Sequence, residues 1–366
     1  MAYTTIDDPG LFFNTKLYTG TGSSNAVTGV GFQPDLTWIK NRGDAESHVL
    51  FDSVRTNGYY LKSDATSAEI DGSSGGSGLW SAFTSDGFTV LNGNRTNDSS
   101  NTYASWNWKA GTTGSGTTTG AGTGKAYSYS VNTTAGFSIV KYIGNGDTGQ
   151  TIPHHLGVIP GLIIVKGLAA SRSWMVWSSG GTSTKNTSLN STEIEHDSGA
   201  SGWSQGIIGV PTSSNITFTA GATNNNSICI NDENYIAYCF AEKQGYSKFG
   251  SYVASGHASD ANFIYLGFKP AWVMFKKTSG ADNWLILDNK RSSSSGKNLV
   301  DFHLRANLTN AESDLSGSDN GVDFLSNGIK LRKNNGEFNS SGGTYIYMAF
   351  AEAPFVSSTG VPACAR

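Results

Sequence analysis

The sequence predicts an all-β protein built from three tandem, related β-sandwich domains of a jelly-roll-like kind. Apolar residues recur with a period of two or in short runs, and no stretch of about twelve residues has helical spacing. β-branched and aromatic residues fill the runs, while clusters of Gly, Asn, Ser and Asp separate them. The same succession of motifs also occurs three times along the chain, which is typical of repeated structural units.

Each repeat begins with a short alternating strand, at residues 13–18, 137–142 and 249–252. A Gly-rich turn follows, and then a corner of the form Gly-apolar-x-Pro, at residues 31–34, 157–160 and 267–270. Proline suits the start of a strand because its φ is fixed and it lacks an N–H, and glycine permits the sharp approach before it. The corner therefore predicts that a new strand begins directly after each proline.

The strand after each corner is strongly apolar, and we expect Trp38, Ile164 and Val273 to occupy the same buried strand. A lysine follows each proline by six residues, at Lys40, Lys166 and Lys276. The next strand ends in Asp-x-x-Arg in the first and third repeats only, as Asp52/Arg55 and Asp288/Arg291. These pairs are interpreted as ion pairs within the chain that brace a sheet edge, with ligand binding as the alternative.

Each repeat then passes through a long polar stretch and closes on an aromatic strand, at residues 103–108, 235–240 and 345–350. Alternate residues of these strands share a face, so that Ala104, Trp106 and Trp108 should point the same way. Two sheets with such buried faces would pack about 10 Å apart. The repeats thus predict a first sandwich at 1–108, a second at 137–242, and a third with a C-terminal tail at 243–366.

The segment 109–136 separates the first two repeats, and its first half is nearly pure Gly, Thr, Ser and Ala. This composition predicts a flexible or extended linker that tethers the first domain. The alternative is that the segment packs on a neighbouring subunit. The second join is short, so the second and third domains are expected to move together.

Composition excludes several classes of function. The 366 residues carry a net charge of −3 and no basic stripe, which argues against binding nucleic acid through phosphate neutralisation. The N-terminus shows no signal peptide, and no window approaches about 18 consecutive apolar residues, so membrane insertion is not expected. The Ser/Thr/Asn-rich surface suits an extracellular particle, which lysis of a phage-infected bacterium would release.

Signals of catalysis and of metal or cofactor binding are weak. The sequence contains no G-x-S-x-G or H-E-x-x-H motif, and the three cysteines lack metal-ligand spacing. Cys229 and Cys239 could form a disulfide or be two buried thiols. His154 and His155 are adjacent, and on a strand they would point to opposite faces. We therefore predict no enzyme activity, no cofactor and no metal site.

The threefold unit resembles a repeat of tail-fibre-like and other virion structural proteins of marine phages and cyanophages. The similar stretches are "FFNTKLYTGTGS…GFQPDLTWIKNR…LFDSVR", "HHLGVIPGLIIVK" and "YIAYCFAEKQGYSKFGSY", and the resemblance covers nearly the whole chain. It implies a virion component, such as a tail fibre or a surface decoration, that takes part in host attachment. The second repeat departs from the pattern because it lacks the Asp-x-x-Arg pair.

Carbohydrate binding is the main alternative function, because sugars stack on exposed aromatic rings and accept hydrogen bonds from polar neighbours. Trp80 and Trp203 lie in Gly/Ser-rich stretches and are expected to be the most exposed. The other candidates for a glycan site are Trp174, Trp284, Asp52, Arg55, Asp288 and Arg291, although most tryptophans of a sandwich are core residues. A polysaccharide-degrading tailspike is a further alternative. We expect a homo-oligomer, most simply a trimer, that contacts other virion proteins and a host surface glycan.

Overall fold

The computed structural model describes residues 2–73, 78–197, 207–219, 228–257, 261–292, 298–315 and 321–362. Regular structure in these ranges consists of strands and one short 3-10 helix at Pro9–Leu11. Asp8 caps this helix, because its carboxylate accepts a hydrogen bond from the Gly10 amide at 3.0 Å. The predicted all-β class is confirmed. No helix in the described ranges is long and apolar enough to cross a membrane.

The first unit contains an inner sheet in the order β1-β9-β3-β4, an outer sheet in the order β2-β8-β7, and a small β5-β6 pair. Buried Val27, Val49 and Phe88 belong to the apolar layer between the sheets. The strands are β1 Phe13–Thr19, β2 Asn25–Thr28, β3 Leu36–Asn41, β4 Val49–Asp52, β5 Tyr59–Tyr60, β6 Ile70–Asp71, β7 Trp80–Thr84, β8 Gly87–Val90 and β9 Thr102–Trp108.

The second unit has an eight-stranded inner sheet in the order β10-β12-β13-β22-β15-β16-β17-β18, with β11-β14-β20 and β19-β21 outside it. Its strands are β10 Thr112–Thr117, β11 Thr119–Gly120, β12 Ala126–Asn132, β13 Phe137–Ile143, β14 Gln150–Pro153, β15 Leu162–Gly167, β16 Met175–Ser178, β17 Lys185–Ser188, β18 His196–Asp197, β19 Ile207–Ile208, β20 Asn215–Ile216, β21 Phe218–Thr219 and β22 Asn234–Phe240.

The third unit has an inner sheet in the order β23-β32-β25-β26-β28-β29 and an outer sheet in the order β24-β31-β30-β27. Its strands are β23 Ser247–Val253, β24 Phe263–Tyr265, β25 Phe268–Lys277, β26 Trp284–Asp288, β27 Leu299–Val300, β28 Phe302–Arg305, β29 Ser313–Asp314, β30 Val322–Leu325, β31 Gly328–Leu331 and β32 Thr344–Pro354.

The three inner sheets share one antiparallel strand order: the first strand, the closing strand, the strand after the proline corner and the next strand. Equivalent positions follow from the register, since the closing strand pairs Trp38 with Trp106, Ile164 with Tyr238, and Met274 with Met348. The prediction that Trp38, Ile164 and Val273 are buried in the strand after each corner is confirmed. By register, the residue of the third unit that is equivalent to Trp38 and Ile164 is Met274, and Val273, one residue earlier, packs in the apolar layer between the inner and outer sheets of its unit.

The inner faces of the three sheets meet in one shared core rather than in three separate ones. Trp108, Phe240 and Phe350 hold equivalent places in the closing strands, and their rings form a triangle. The ring centroids are 6.1 Å apart for Trp108–Phe240, 5.9 Å for Phe240–Phe350 and 5.7 Å for Trp108–Phe350. The units therefore surround a common centre instead of lying in a row, and the prediction of a separately tethered first domain is wrong.

The predicted linker 109–136 is folded into strands. β12 pairs with β13 and β10 pairs with β12, so both strands extend the inner sheet of the second unit. Gly114 and Gly116 lie opposite Tyr129 and Tyr127, and a Cβ on either glycine would come within 2.5 Å and 2.7 Å of the respective tyrosine hydroxyls. These glycines permit close packing, which composition alone does not distinguish from flexibility.

Candidate functional site

Both Asp-x-x-Arg pairs form the predicted ion pairs. Arg55 Nε donates to Asp52 Oδ2 at 2.6 Å, and Arg291 Nε donates to Asp288 Oδ2 at 2.6 Å, with all four side chains fully buried. The other carboxylate oxygen of each aspartate accepts the backbone N–H of its arginine, at 2.9 Å and 3.1 Å. The aspartates thus fix the turn that follows β4 and β26. They lie inside the molecule, where a sugar cannot reach them, and not at an exposed sheet edge.

A neighbouring unit supplies a further donor to each pair. Tyr238 Oη of the second unit donates to Asp52 Oδ2 at 2.7 Å, and Trp106 Nε1 of the first unit donates to Asp288 Oδ2 at 2.9 Å. Tyr238 and Trp106 occupy the same register position in their closing strands. The ion pairs therefore join units to one another, which the sequence did not indicate.

The missing pair of the second repeat has a physical explanation in this arrangement. Ser178 pairs with Leu162 as Asp52 pairs with Leu36, so serine occupies the aspartate position. The closing-strand position that carries the donors Tyr238 and Trp106 is Met348 in the third unit. Methionine has no hydrogen to donate, so a buried carboxylate in the second unit would lack that partner. The boundary between the second and third units therefore lacks both the carboxylate and the side-chain donor that the other two boundaries have.

The arginines stay charged although they are buried. Burial by itself would lower the pKa of each guanidinium, but Asp52 beside Arg55 and Asp288 beside Arg291 hold both pKa values above the ordinary value. Glu312 also raises the pKa of Arg291, because its carboxylate accepts a hydrogen bond from Arg291 Nη1 at 2.9 Å. The same carboxylate accepts a hydrogen bond from Arg42 Nη2 at 2.6 Å. Glu312 thereby links the first unit to the third. Burial, followed by the charge of Asp52, raises the pKa of Tyr238 well above its usual range.

The three repeated lysines are also buried, and two of them bridge units. Lys166 Nζ donates to the Thr66 carbonyl of the first unit at 3.0 Å, and Lys276 Nζ donates to the Thr192 carbonyl of the second at 2.9 Å. Lys40 Nζ donates to the carbonyls of Asn41 and Asp44, at 2.6 Å and 3.0 Å. Burial lowers the pKa of Lys166 to about 7 and those of Lys40 and Lys276 to about 8.

The described tryptophan candidates for a sugar platform are core residues. Trp80 is 1% exposed and stacks on Phe51 at a centroid distance of 4.2 Å, so the expectation that it is exposed is wrong. Trp174 and Trp284 are equally buried, and their indole N–H groups donate to the carbonyls of Lys62 and Ser188 in neighbouring units, each at 2.8 Å. A buried ring cannot stack on a pyranose. Trp203 lies outside the described residues.

The centre of the molecule leaves little room for a ligand. A cavity of about 10 Å³ lies in the shared core, and its lining includes Leu36, Trp108, Ile164, Phe240 and Met348. This volume is close to the least that admits one water, and the lining is apolar.

No cluster of three His, Cys, Asp or Glu side chains that could hold a metal ion occurs in the described part of the chain. His154 is buried, with Nε2 3.1 Å from the Thr212 carbonyl, while Nδ1 accepts the Leu156 amide at 3.2 Å. Cys229 and Cys239 are buried free thiols rather than a disulfide, and burial raises the pKa of both. The histidine is thus tied into the fold by hydrogen bonds, and the two thiols are held in the core.

Comparison with known proteins places this arrangement in a family. The family model described as "Domain of unknown function (DUF7483)" matches residues 8–354. The chain belongs to the DUF7483 family. The matched range spans all three units, so the family is defined over the whole threefold arrangement and not over one repeat. No curated protein and no solved structure matches this DUF7483 chain.

Proposed function

We propose that this DUF7483 protein is a non-enzymatic structural component of a phage virion, belonging to a tail fibre or to a surface fibre or decoration, that helps attach the particle to its host. One observation carries the proposal most strongly. The described charged and aromatic residues that first suggested a binding site are used instead to lock three sheet sandwiches around one core. A body of this kind fits a structural role on a particle, because its buried polar groups serve contacts between units.

The proposal includes partners and a location. The resemblance to virion repeats favours assembly with other tail or capsid proteins, on a particle released from the bacterial cytoplasm by lysis. Homo-oligomerisation, as a trimer, remains part of the proposal because uncovered strand edges have to be paired or blunted. The three units close around a centre within one chain, so the threefold repeat does not by itself require three copies of the chain.

Purified particles test the proposal directly. Virions from a phage that encodes this protein would be banded on a density gradient and analysed by quantitative mass spectrometry and by immunogold labelling. We expect a fixed copy number per particle and labelling at one site on the virion. Absence of the protein from particles that remain infectious would disprove the structural role.

Attachment is tested separately from structure. Particles that lack the protein but assemble normally should adsorb to host cells more slowly than wild-type particles, and the purified protein should bind host cells. Normal adsorption of such particles would leave a structural component without an attachment role. A glycan array with the purified protein decides whether any contact is made to sugar, and reducing-sugar release from host polysaccharide would point to an enzyme.

A further inference from the structure

The side of the second unit next to its first strand is covered by the chain itself. β12 lies beside β13 at one edge of the two-layer unit, and β11 lies beside β14 at the corresponding edge of the outer layer. The ring of Tyr129, from β12, stacks on His155 at a centroid distance of 3.7 Å, and Tyr127 stands 5.7 Å from the same ring. The segment 112–132 thus adds strands to both edges and places alternate tyrosines over the flank.

The equivalent flank of the third unit has no such cover among the residues that the structure describes. β23 is the end strand of its inner sheet and β24 is the end strand of its outer sheet. Tyr265 corresponds to His155, since each precedes the glycine of its proline corner by two residues. Tyr265 is 49% exposed, and Phe263 and Val253 are 45% and 61% exposed. Lys248 lies 5.4 Å from the centroid of Tyr265, and the Tyr3 hydroxyl lies 3.5 Å from the Tyr265 hydroxyl. About half of the Tyr265 side chain remains open beside these two contacts.

The backbone of β24 is open as well. The Leu331 amide donates to the Asn262 carbonyl at 3.0 Å, and the Leu266 amide donates to the Asn327 carbonyl at 2.9 Å. In an antiparallel pair these bonds alternate along the strand, so the N–H and C=O groups of Phe263 and Tyr265 point away from β31. No described residue forms a hydrogen bond with them. The edge therefore offers two donors and two acceptors.

The first unit also has end strands on this flank, β1 and β2, but it has no aromatic ring at the position of His155 and Tyr265. Gly29 occupies the place of His155 and Tyr265 in that unit. The carboxylate of Asp86 accepts the amides of Gly29 and Gly31 at 2.8 Å and 2.7 Å. The first flank thus carries no ring at this position and the second is covered by strands, while the third combines exposed aromatic rings with a β24 edge that no described residue pairs.

We propose that the flank formed by Val253, Phe263, Tyr265 and the free edge of β24 is a docking site for an extended strand from a different protein chain. The covered flank defines the chemistry of this partner: a strand with aromatic side chains at alternate positions, as Tyr127 and Tyr129 have in β12. Backbone hydrogen bonds to Phe263 and Tyr265 would fix the register of the bound strand, and stacking on the Tyr265 ring would select strands that carry aromatic side chains. The assignment stands independently of the virion proposal.

The chain supplies its own probe. A fluorescein-labelled peptide with the sequence of residues 110–133 would be titrated with the full-length protein, and fluorescence anisotropy would report binding. Phe263→Pro removes an N–H that faces outward, a change that an edge strand tolerates, and it should weaken binding at least tenfold. Tyr265→His installs the residue that the second unit uses here, and it should keep the affinity within about threefold.

A matched pair of lysine substitutions tests the flank independently, in case the proline variant does not fold. Val253→Lys puts a charge on the proposed flank and should weaken peptide binding at least tenfold. Ile159→Lys makes the same kind of change at a residue that is 57% exposed on the second unit, and it should leave binding unchanged. Circular dichroism and the melting temperature establish that each variant is folded.

Three results would overturn the proposal. The first is the absence of saturable binding by the peptide. The second is binding that Phe263→Pro and Val253→Lys leave unchanged, because the peptide would then be exchanging with the strands on the second unit. The third comes from sedimentation velocity without peptide: a dimer of the wild-type protein that Phe263→Pro abolishes would assign the flank to a second copy of this chain.

Discussion

Buried aspartates connect units of the molecule through single carboxyl groups. Asp288 holds Arg291 and the turn after β26, and it also accepts the indole N–H of Trp106 from the first unit. The cation–π contact of Arg291 with the Trp106 ring, at 5.5 Å, ties the same three residues together. Loss of one member therefore affects the others.

Asp288→Ala should lower the free energy of unfolding by about 3–5 kcal/mol, because it leaves a buried guanidinium without its carboxylate. Urea denaturation followed by tryptophan fluorescence measures the change. The double variant Asp288→Ala/Arg291→Met should be less destabilised than the single variant, since no unpaired charge remains. Asp232→Asn is the control: its partner is Lys125, its side chain is 69% exposed, its left-handed backbone suits asparagine, and about 0–1 kcal/mol is expected. Equal effects at the two aspartates would contradict this account.

Trp38 tests the shared core at one side chain. The ring is 3% exposed, and its N–H donates to His48 Nδ1 at 2.9 Å. Trp38→Ala should cost about 3–5 kcal/mol of unfolding free energy, as large truncations in protein cores do. The exposed Val361, at 63%, provides a control, and Val361→Ala should change stability by less than about 0.5 kcal/mol. A loss below about 1 kcal/mol for Trp38→Ala would show that β3 is not a core strand.

Lys166 should give a pH-dependent stability. Its pKa is about 7 in the folded protein against an ordinary value of 10.5, so between these values the unfolded chain binds more protons. The free energy of unfolding contributed by this lysine therefore rises with pH above about 7, by up to about 1.4 kcal/mol per pH unit, and is constant below it. Denaturation of the wild type and of Lys166→Met at pH 6, 7, 8 and 9 isolates this contribution, since all other groups titrate in both proteins. A difference between them that does not vary with pH would contradict the prediction.

The strands that recur in all three units could be predicted from the sequence, whereas β10 and β12, which extend the inner sheet of the second unit, could not. The corner at 31–34, its two copies and the aromatic closing strands have period-two or continuously apolar patterns, which fix strands and their burial. β10 escaped detection because Gly114 and Gly116 give the first half of the segment the composition of a linker. These glycines are required by the tyrosines opposite, and that contact depends on tertiary pairing. β12 lies in the second half, where Tyr127 and Tyr129 alternate with serines, but it was included in the same linker.

In the candidate site, too, contacts between residues close in sequence could be predicted and contacts between distant residues could not. Local spacing was sufficient to predict that Asp52 would pair with Arg55, because the two are three positions apart around one turn. It could not reveal that Tyr238, 186 positions away, completes the site. The tryptophans were ambiguous for a related reason: a Gly/Ser-rich context next to Trp80 suggests a surface loop, whereas β7 turns the ring inward onto Phe51.

Strand pairing of the segment 112–132 predicts slow hydrogen exchange. Amides of β10 and β12 that bond to neighbouring strands should be protected for minutes or longer, comparable with β13 beside them. Hydrogen–deuterium exchange with mass spectrometry on the intact protein measures this, and the exposed residues 157–159, which lie outside the strands, serve as the reference. Complete exchange of 112–132 within seconds would restore the interpretation as a flexible linker.

The shared core makes the whole molecule the unit of folding. An inner sheet of one unit alone would expose its half of the triangle formed by Trp108, Phe240 and Phe350, together with the buried arginines and lysines at its boundaries. Removing one unit thus leaves apolar surface and unpaired polar groups on the other two. Three independent sandwiches would instead unfold independently, whatever their sequence similarity.

We therefore expect one cooperative thermal transition for the intact chain, with a calorimetric enthalpy equal to the van't Hoff enthalpy. The fragment 1–108, expressed alone, should lack the dispersed amide spectrum of a folded β-protein, because Trp106 loses Asp288 and Arg42 loses Glu312. Adding the fragment 109–366 to it should restore that dispersion if the two parts reassemble around the common core. Separate transitions in the intact chain, or a fragment 1–108 that folds by itself, would show that each sandwich is stable alone and that the contacts between units only orient them.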